Sequence, residues 1–151
     1  MIIALIGHPG SGKGTIAQLF SKKGWVHFSM GQALRDHMNR NAKYAKIVAK
    51  LNAKGILSPN RIVTPIFEDF LVRYRKKNIV LDGYPRNMGQ IRGLDKVFKK
   101  NKLSLDGFIL LDVHASELIR RLKGRRQCSR CGRIYGVHEK PKKKGHCDMD
   151  N

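Results

Sequence analysis

The stretch Gly-His-Pro-Gly-Ser-Gly-Lys-Gly-Thr, residues 7–15, lies between an apolar run and a segment with helical periodicity. Residues 1–6 are all apolar, which is typical of a strand that is buried on both faces of a parallel sheet. Over residues 16–24, apolar side chains recur at helical spacing. A strand, a glycine-rich loop and a helix in this order are the setting in which a phosphate-binding loop works.

The loop itself fits the pattern G-x-x-x-x-G-K at Gly7, Gly12 and Lys13. Its glycines let backbone N–H groups point at an anion, and the following helix and the Lys13 ammonium add positive charge. Gly14 stands where a serine or threonine is usual, and the hydroxyl comes one residue later, at Thr15. The sequence therefore predicts an anion site here, whereas the alternative is a strand-to-helix turn without a ligand.

The length, net charge and apolar content of the chain indicate what class of protein it is. The chain has 151 residues, which suits one domain, and 31 Lys+Arg against 11 Asp+Glu give a net charge of +20. That charge favours anionic partners such as nucleotide phosphates, nucleic acid or acidic membranes, although a solvated basic surface explains scattered lysines equally well. Because no apolar run approaches the length of a membrane span, we expect a cytoplasmic protein without a membrane partner.

Strand and helix patterns alternate along the chain, which predicts an α/β fold with a parallel sheet and helices on both faces. We expect strands near 2–6, 26–28, 79–82 and 108–112. Asp82 ends the third of these strands, at the sheet edge where ligands bind in open α/β folds. We therefore expect its carboxylate to face the phosphate loop.

Four motifs together resemble those of the adenylate kinases, a family of nucleoside monophosphate kinases. They are the loop at 7–15, Leu-Arg at 34–35, Asp-Gly-Tyr-Pro-Arg-Asn-x-x-Gln at 82–90 and Gly-Arg-Arg at 124–126. The resemblance covers essentially the whole chain and implies a sheet like that of P-loop nucleoside triphosphate hydrolases, with a small zinc-binding lid. It further implies phosphoryl transfer from ATP to AMP with Mg2+, giving two ADP.

The resemblance also assigns roles to residues, with Lys13, Arg86, Arg121 and Arg125 expected to be catalytic. The expected ATP-binding residues are Gly10, Ser11, Gly12, Lys13, Gly14, Thr15, Arg121 and Arg125. The expected AMP-binding residues are Met30, Arg35, Gly83, Arg86 and Gln90. Thr15 and Asp82 are expected to hold Mg2+ through water.

The same resemblance predicts how the chain is divided. Residues 1–28 and 61–122 would form the core domain, residues 29–60 the monophosphate-binding segment and residues 123–151 the lid. Strand 1 would lie between strands 3 and 4, with strand 2 at the edge beside strand 3. Where the family commonly has Ser-Thr-Gly-Asp, residues 29–32 read Ser-Met-Gly-Gln, which removes a hydroxyl and a carboxylate.

Family members continue past the lid into a helix with two more arginines, a fifth strand and a last helix, whereas this sequence stops at Asn151. From this we expect residues 1–151 alone to turn over slowly, because arginines at the migrating phosphoryl group act most strongly in the transition state. We also expect an unpaired apolar edge at strand 1 or strand 4.

The three cysteines form a possible metal site. Cys128-x2-Cys131, fifteen residues, and Cys147-x2-Asp150 have metal-ligand spacing, and tetrahedral zinc accepts three thiolates and a carboxylate. Bacterial adenylate kinases with Cys-Cys-Cys-Asp lids point to Asp150 as the fourth ligand, and the competing ligands are Asp148, His146 and His138. The zinc would be structural, because so small a loop buries no core of its own. The alternative is three free thiols in a reducing compartment.

Three other hypotheses stay open beside adenylate kinase. One is a nucleotide-binding protein that has lost turnover, and another is a kinase for a different nucleoside monophosphate. The least favoured is a zinc-bearing nucleic-acid binder: eleven of the 31 basic residues fall between Arg120 and Lys144, but Tyr135 is the one aromatic residue among them. We expect a monomer whose partners are ATP and AMP.

Overall fold

The structure, a computed structural model, describes residues 1–40, 42–54, 56–137 and 139–150. The elements, in chain order, are β1 (Ile2–Ile6), α1 (Lys13–Lys22), β2 (Val26–Ser29), α2 (Met30–Arg40), α3 (Ala42–Ala53), α4 (Asn60–Tyr74), β3 (Ile79–Asp82), α5 (Met88–Asn101), β4 (Gly107–Leu110), α6 (Ala115–Lys123), β5 (Arg126–Gln127) and β6 (Ile134–Tyr135). By its internal contacts the chain divides into two compact units.

The first unit, Met1–Ile6 with Gly14–Leu110, contains a four-stranded parallel sheet in the order β2-β3-β1-β4. This is the predicted order, with strand 1 between strands 3 and 4. The central strands read Ile-Ile-Ala-Leu-Ile and Ile-Val-Leu-Asp, and their apolar residues are buried apart from Ile6 at the end of β1. Such runs are typical of strands that are covered on both faces.

Helices cover both faces of this sheet, as predicted. On one face, residues of α2, α4 and α5 form a core with alternate residues of the strands and with Tyr84, which follows β3. The members are Ile2, Ala4, Phe28, Met30, Val63, Phe67, Leu71, Ile79, Leu81, Tyr84, Leu94, Val97 and Phe98. On the other face, Ala17 of α1 packs with Ile3, Leu5 and Val80. The alternation follows from the two-residue period of a strand, which sends successive side chains to opposite faces.

The fourth strand ends earlier than the sequence suggested. We predicted a strand near 108–112, whereas β4 covers Gly107–Leu110. The reason lies in its partner: Leu110 pairs with Ile6, and β1 ends at Ile6, so no ladder is available beyond that pair. β4 lies at one end of the sheet, where Phe108 and Leu110 remain 67% and 62% exposed.

The second unit comprises Gly7–Lys13 and Leu111–Asn151. It contains α6 and a short hairpin in which β5 pairs antiparallel with β6. Sequence reasoning did not predict this hairpin. The predicted division into core, monophosphate-binding segment and lid stays a prediction. Within the described ranges, no helix has both the length and the apolar character needed to cross a bilayer.

Candidate functional site

The phosphate loop of the second unit has a backbone that side chains would disturb. Gly10 has φ +87°, and a Cβ there would lie 3.4 Å from a carbon of Leu122. A Cβ at Gly7 would lie 2.7 Å from both the Leu111 carbonyl oxygen and the Ser11 hydroxyl, closer than real contacts allow. The loop therefore needs glycine at both positions, because only glycine adopts such backbone angles without strain and leaves this space open.

Two polar groups are held inside the loop. The Lys13 ammonium donates to the carbonyl oxygens of Gly7 and His8 at 2.7 and 2.9 Å. The Ser11 hydroxyl is buried and has no hydrogen-bond partner within the described part of the chain. A buried hydroxyl without a partner is costly, so its presence favours a ligand that accepts a hydrogen bond from it. The Lys13 ammonium and the unpartnered Ser11 hydroxyl, in one glycine-rich loop, suit the binding of an anionic ligand.

Arg121 of α6 lies against this loop. Its Nη1 donates to the Gly10 carbonyl oxygen at 3.2 Å, and its Nε donates to Oε1 of Glu117 at 2.7 Å. Arg120 also binds Glu117, and these two arginines lower the pKa of that carboxyl group to about 2 through hydrogen bonds and charge. Arg125, the other predicted arginine of this unit, is exposed just after α6. The structure thus places one of the two predicted arginines on the phosphate loop.

In the first unit, Asp82 ends β3 beside the start of α1. Its Oδ2 lies 3.8 Å from where a Cβ of Gly14 would stand, and the next residue, Thr15, is exposed. The same oxygen lies 3.6 Å from Nε2 of His27, which is buried and makes no hydrogen bond within the described residues. The carboxylate therefore lies next to Gly14 of the predicted phosphate-binding motif, and that it faces the phosphate loop stays a prediction.

Arg86 and Gln90, which follow β3 in the chain, are joined by a hydrogen bond. The buried Gln90 side chain accepts a hydrogen bond from the Arg86 backbone N–H at 2.7 Å, and the Arg86 Nε donates to the Gly83 carbonyl oxygen at 2.7 Å. Asn87 caps α5 by accepting from the Gln90 N–H at 2.9 Å. Three of the predicted acceptor residues, Gly83, Arg86 and Gln90, thus form one cluster.

The other two predicted acceptor residues belong to α2. Met30 begins the helix and is 3% exposed. The Arg35 Nη2 donates to Gln32 at 2.7 Å, while its Nε is buried without a hydrogen-bond partner in the described ranges. Gln32 in turn donates to Asp36 at 2.8 Å. Gln32, which replaces the acidic residue usual in the family motif, therefore orients Arg35 through Nη2, while the buried Nε stays available to a ligand.

The cysteines meet in the second unit. The Sγ atoms of Cys128, Cys131 and Cys147 all lie within 4.8 Å of one another. The Cys128 thiol lies 3.5 Å from Oδ2 of Asp150, the predicted fourth ligand. Asp148 accepts instead from the Lys142 backbone N–H at 2.8 Å. These contacts fit a zinc ion better with Asp150 than with Asp148.

His146 and His138 are the other two candidates for the fourth ligand. His146 is exposed and lines the same open cavity as Cys128, Cys147 and Asp150. His138 lies outside the described residues. The geometry therefore favours Asp150 by its contact with Cys128, while His146 stays close enough to the cavity to compete.

Tyr135 supports the cluster from β6. Its hydroxyl donates to the Cys147 sulfur at 3.3 Å and accepts from the Asp148 backbone N–H at 2.7 Å. The hydrogen bond from Tyr135 is the main cause that lowers the pKa of Cys147 to about 7. The thiolate is the form that binds metals, so this contact favours metal binding near neutral pH.

Sequence reasoning missed three residues of these sites: His27, Glu117 and Tyr135. Glu117 and Arg121 are four residues apart, a spacing that signals an ion pair when the segment is helical. His27 pairs with Val80 in the register of β2 and β3, which puts it on the same face as Asp82 two residues on. The contact of Tyr135 with Cys147 left no signal, because it depends on how the hairpin turns back.

Comparison with known proteins agrees with the motifs. A sequence model described as adenylate kinase matches residues 5–150. The adenylate kinase of Methanothrix thermoacetophila is 40% identical over 154 residues, which are 98% of this chain and 70% of that protein. The adenylate kinase of Aster yellows witches'-broom phytoplasma is 37% identical over 153 residues, 99% of this chain and 70% of that protein. The adenylate kinase of Caldicellulosiruptor bescii is 36% identical over 99% of this chain and 71% of that protein. The chain belongs to the adenylate kinase family.

Proposed function

We propose that this chain transfers a phosphoryl group from ATP to AMP, giving two ADP. The observation that carries the proposal is the phosphate loop, in which the Lys13 ammonium and the buried, unpartnered Ser11 hydroxyl offer donors to an anion. Family membership supports the choice of ATP as donor and AMP as acceptor. Phosphoryl transfer asks little covalent chemistry of a protein and depends on positioning and charge neutralisation.

On the donor side, the loop amides and Lys13 bind the triphosphate, with Arg121 and Arg125 as further cationic contacts. The set of loop residues is Gly10, Ser11, Gly12, Lys13, Gly14 and Thr15. Backbone N–H groups and an ammonium bind phosphate oxygens without a change in protonation. Lys13 releases its contacts with the loop carbonyls when a stronger acceptor, a phosphate oxygen, is present.

On the acceptor side, Arg35 and Arg86 bind the monophosphate and Gln90 binds the adenine. A guanidinium has five donors in a planar fork that matches a phosphate, and in both arginines the structure fixes part of that fork on neighbouring oxygens. Met30 lies beside the base of AMP, and Gly83 lets the protein backbone approach the nucleotide closely. The buried Nε of Arg35, which lacks a partner among the described residues, supports a ligand at this position.

Mg2+ would accompany ATP and neutralise charge on its phosphates. Asp82 and Thr15 would hold it through water, and the carboxylate of Asp82, next to Gly14, is a suitable oxygen ligand for a hard cation. The residues of this chain bind and orient the nucleotides, while the cation supplies charge stabilisation.

Zinc, bound by Cys128, Cys131, Cys147 and Asp150, would hold the segment around the β5–β6 hairpin together. Support comes from the three sulfur atoms lying within 4.8 Å of one another, which suits one tetrahedral ion. Cysteines of this kind remain thiols in a reducing compartment, and the cytoplasm is the compartment that we propose.

The test is ADP formation from ATP and AMP in the presence of Mg2+. We expect ADP to form only when both nucleotides are present, and we expect Lys13→Met to slow its formation by about 10²–10³-fold while the circular dichroism spectrum is unchanged. ADP formation by wild type that equals that of Lys13→Met would count against the proposal.

A further inference from the structure

Glu117 lies at the centre of a charged network on α6. Its Oε1 accepts from Nε of Arg121 at 2.7 Å and from Nη2 of Arg120 at 2.9 Å, and its Oε2 accepts from Nε of Arg120 at 2.6 Å. Arg121 in turn donates through Nη1 to the Gly10 carbonyl oxygen at 3.2 Å. A chain of contacts therefore runs from one carboxylate, through one guanidinium, to the phosphate loop.

We propose that Glu117 is a positioning residue for ATP binding, which acts by holding Arg121 against the phosphate loop. The inference rests on the proposed function, because it assumes that the loop binds the triphosphate of ATP. Glu117 itself contacts no nucleotide in this assignment. Its role is to fix the direction of the guanidinium that does.

The geometry explains why a carboxylate is needed. An arginine side chain has many rotamers, and ordering it on binding costs conformational entropy. Here Nε is fixed by Glu117 and Nη1 by Gly10, two of the five donors of the guanidinium, so the plane of the fork is set before a ligand arrives. Preorganisation of this kind raises affinity because less order has to be created on binding.

The packing of α6 holds the network in place. Carbon atoms of Leu118 and Leu122 lie 3.7 and 3.4 Å from where a Cβ of Gly10 would stand, so the helix contacts the loop by apolar groups as well. Nη1 of Arg121 also lies 3.9 Å from the corresponding point at Gly12. The Arg121 guanidinium thus lies close to both Gly10 and Gly12 of the phosphate loop.

The sign of the change in ATP affinity distinguishes a positioning role of Glu117 from a purely electrostatic one. Glu117 is ionised at neutral pH, since its pKa is about 2, and an anion near the loop repels a triphosphate. If Glu117 acted only through its charge, removing that charge would strengthen ATP binding. If Glu117 acts by positioning Arg121, removing the charge weakens ATP binding.

The experiment is calorimetric titration of Mg2+–ATP into wild type, Glu117→Gln and the matched control Glu139→Gln. Glu139 belongs to the same unit, and its carboxylate binds Arg133 at 2.8 Å, so the control removes an equal charge from another Glu–Arg pair. We expect Glu117→Gln to weaken ATP binding about tenfold, the scale of one charged hydrogen bond. We expect Glu139→Gln to change it less than about twofold, as for an exposed pair.

A double-mutant cycle separates positioning from a general structural role. In an Arg121→Ala background, we expect Glu117→Gln to have no further effect on ATP binding, because its partner is already absent. AMP binding should be equal in wild type and Glu117→Gln. Unchanged or tighter ATP binding in Glu117→Gln, the same loss in the Arg121→Ala background, or an equal loss of AMP binding would each overturn the inference.

The two proposals fail in different ways. If wild type does not bind ATP, the proposed function fails and takes this inference with it. If wild type binds ATP and Glu117→Gln binds it equally well, the inference alone is overturned.

Discussion

The sulfur atoms of Cys131 and Cys147 lie 3.5 Å apart, although fifteen residues separate them in the sequence. In a tetrahedral site with Zn–S distances of about 2.3 Å, two thiolate sulfurs lie about 3.8 Å apart. The chain between the two cysteines turns back through β6, whose Tyr135 hydroxyl contacts Cys147. The fold therefore brings the two halves of the predicted ligand set to a spacing that is compatible with one zinc ion.

Zinc content and stability provide the first prediction. We expect the protein purified under reducing conditions to contain about one zinc per chain. Cys128→Ser should lower both the zinc content and the melting temperature, because the hairpin segment has little apolar core apart from Tyr135. Ser129→Ala is the matched control beside it and should leave both unchanged. A zinc-free protein, or an unchanged melting temperature for Cys128→Ser, would refute the site.

The identity of the fourth ligand is a separate prediction. Asp150 contacts Cys128, whereas Asp148 accepts from the backbone of Lys142. We expect Asp150→Asn to weaken zinc binding by about tenfold or more in competition with a chromophoric chelator, since an amide is a poorer ligand than a carboxylate. Asp148→Asn should bind zinc as wild type does. The reverse order of the two variants would assign the site to Asp148.

Arg86 carries the third prediction, on the acceptor phosphate. Lysine keeps the charge but lacks the fork, so Arg86→Lys loses both bidentate phosphate binding and the contact with the Gly83 carbonyl. We expect the KM for AMP to rise about tenfold or more, with the KM for ATP nearly unchanged. Arg92→Lys, an exposed arginine of α5, is the control. An equal change in both KM values would show that Arg86 acts on the fold and not on the acceptor.

The fourth prediction concerns the acceptor base. Gln90 is buried with its side-chain oxygen held by the Arg86 backbone, so its amide is oriented before a base arrives. We expect AMP to be preferred over CMP, UMP and GMP, although Met30 replaces the threonine that is common in the family. Initial rates with the four monophosphates at equal concentration measure this preference. Equal rates for all four would contradict it.

The strand order could be predicted because it depends on motifs that the sequence displays. Uninterrupted apolar runs mark β1 and β3, and the loop after β1 marks the ligand edge. The end of β4 at Leu110 could not be predicted from residues 107–112, because it is set by where its partner β1 ends. Local apolar character does not reveal the length of a neighbouring strand.

The candidate sites divide in the same way. The spacing of Glu117 and Arg121 was visible in the sequence, as were the ligand spacings of the three cysteines. The contact of Arg121 with Gly10 joins residues 111 positions apart and depends on tertiary packing alone. The contacts of the Asp148 and Asp150 carboxylates likewise depend on the path of the folded chain.

Transfer of label from ATP to AMP tests the central claim most directly. We would incubate the protein with Mg2+, AMP and ATP labelled in its γ-phosphate, and separate the nucleotides from inorganic phosphate. We predict that label appears in ADP, that its appearance requires AMP, and that Lys13→Met slows it by about 10²–10³-fold, the scale for losing one transition-state donor. Label found only in inorganic phosphate, or no labelled ADP above the Lys13→Met background, would contradict phosphoryl transfer to AMP.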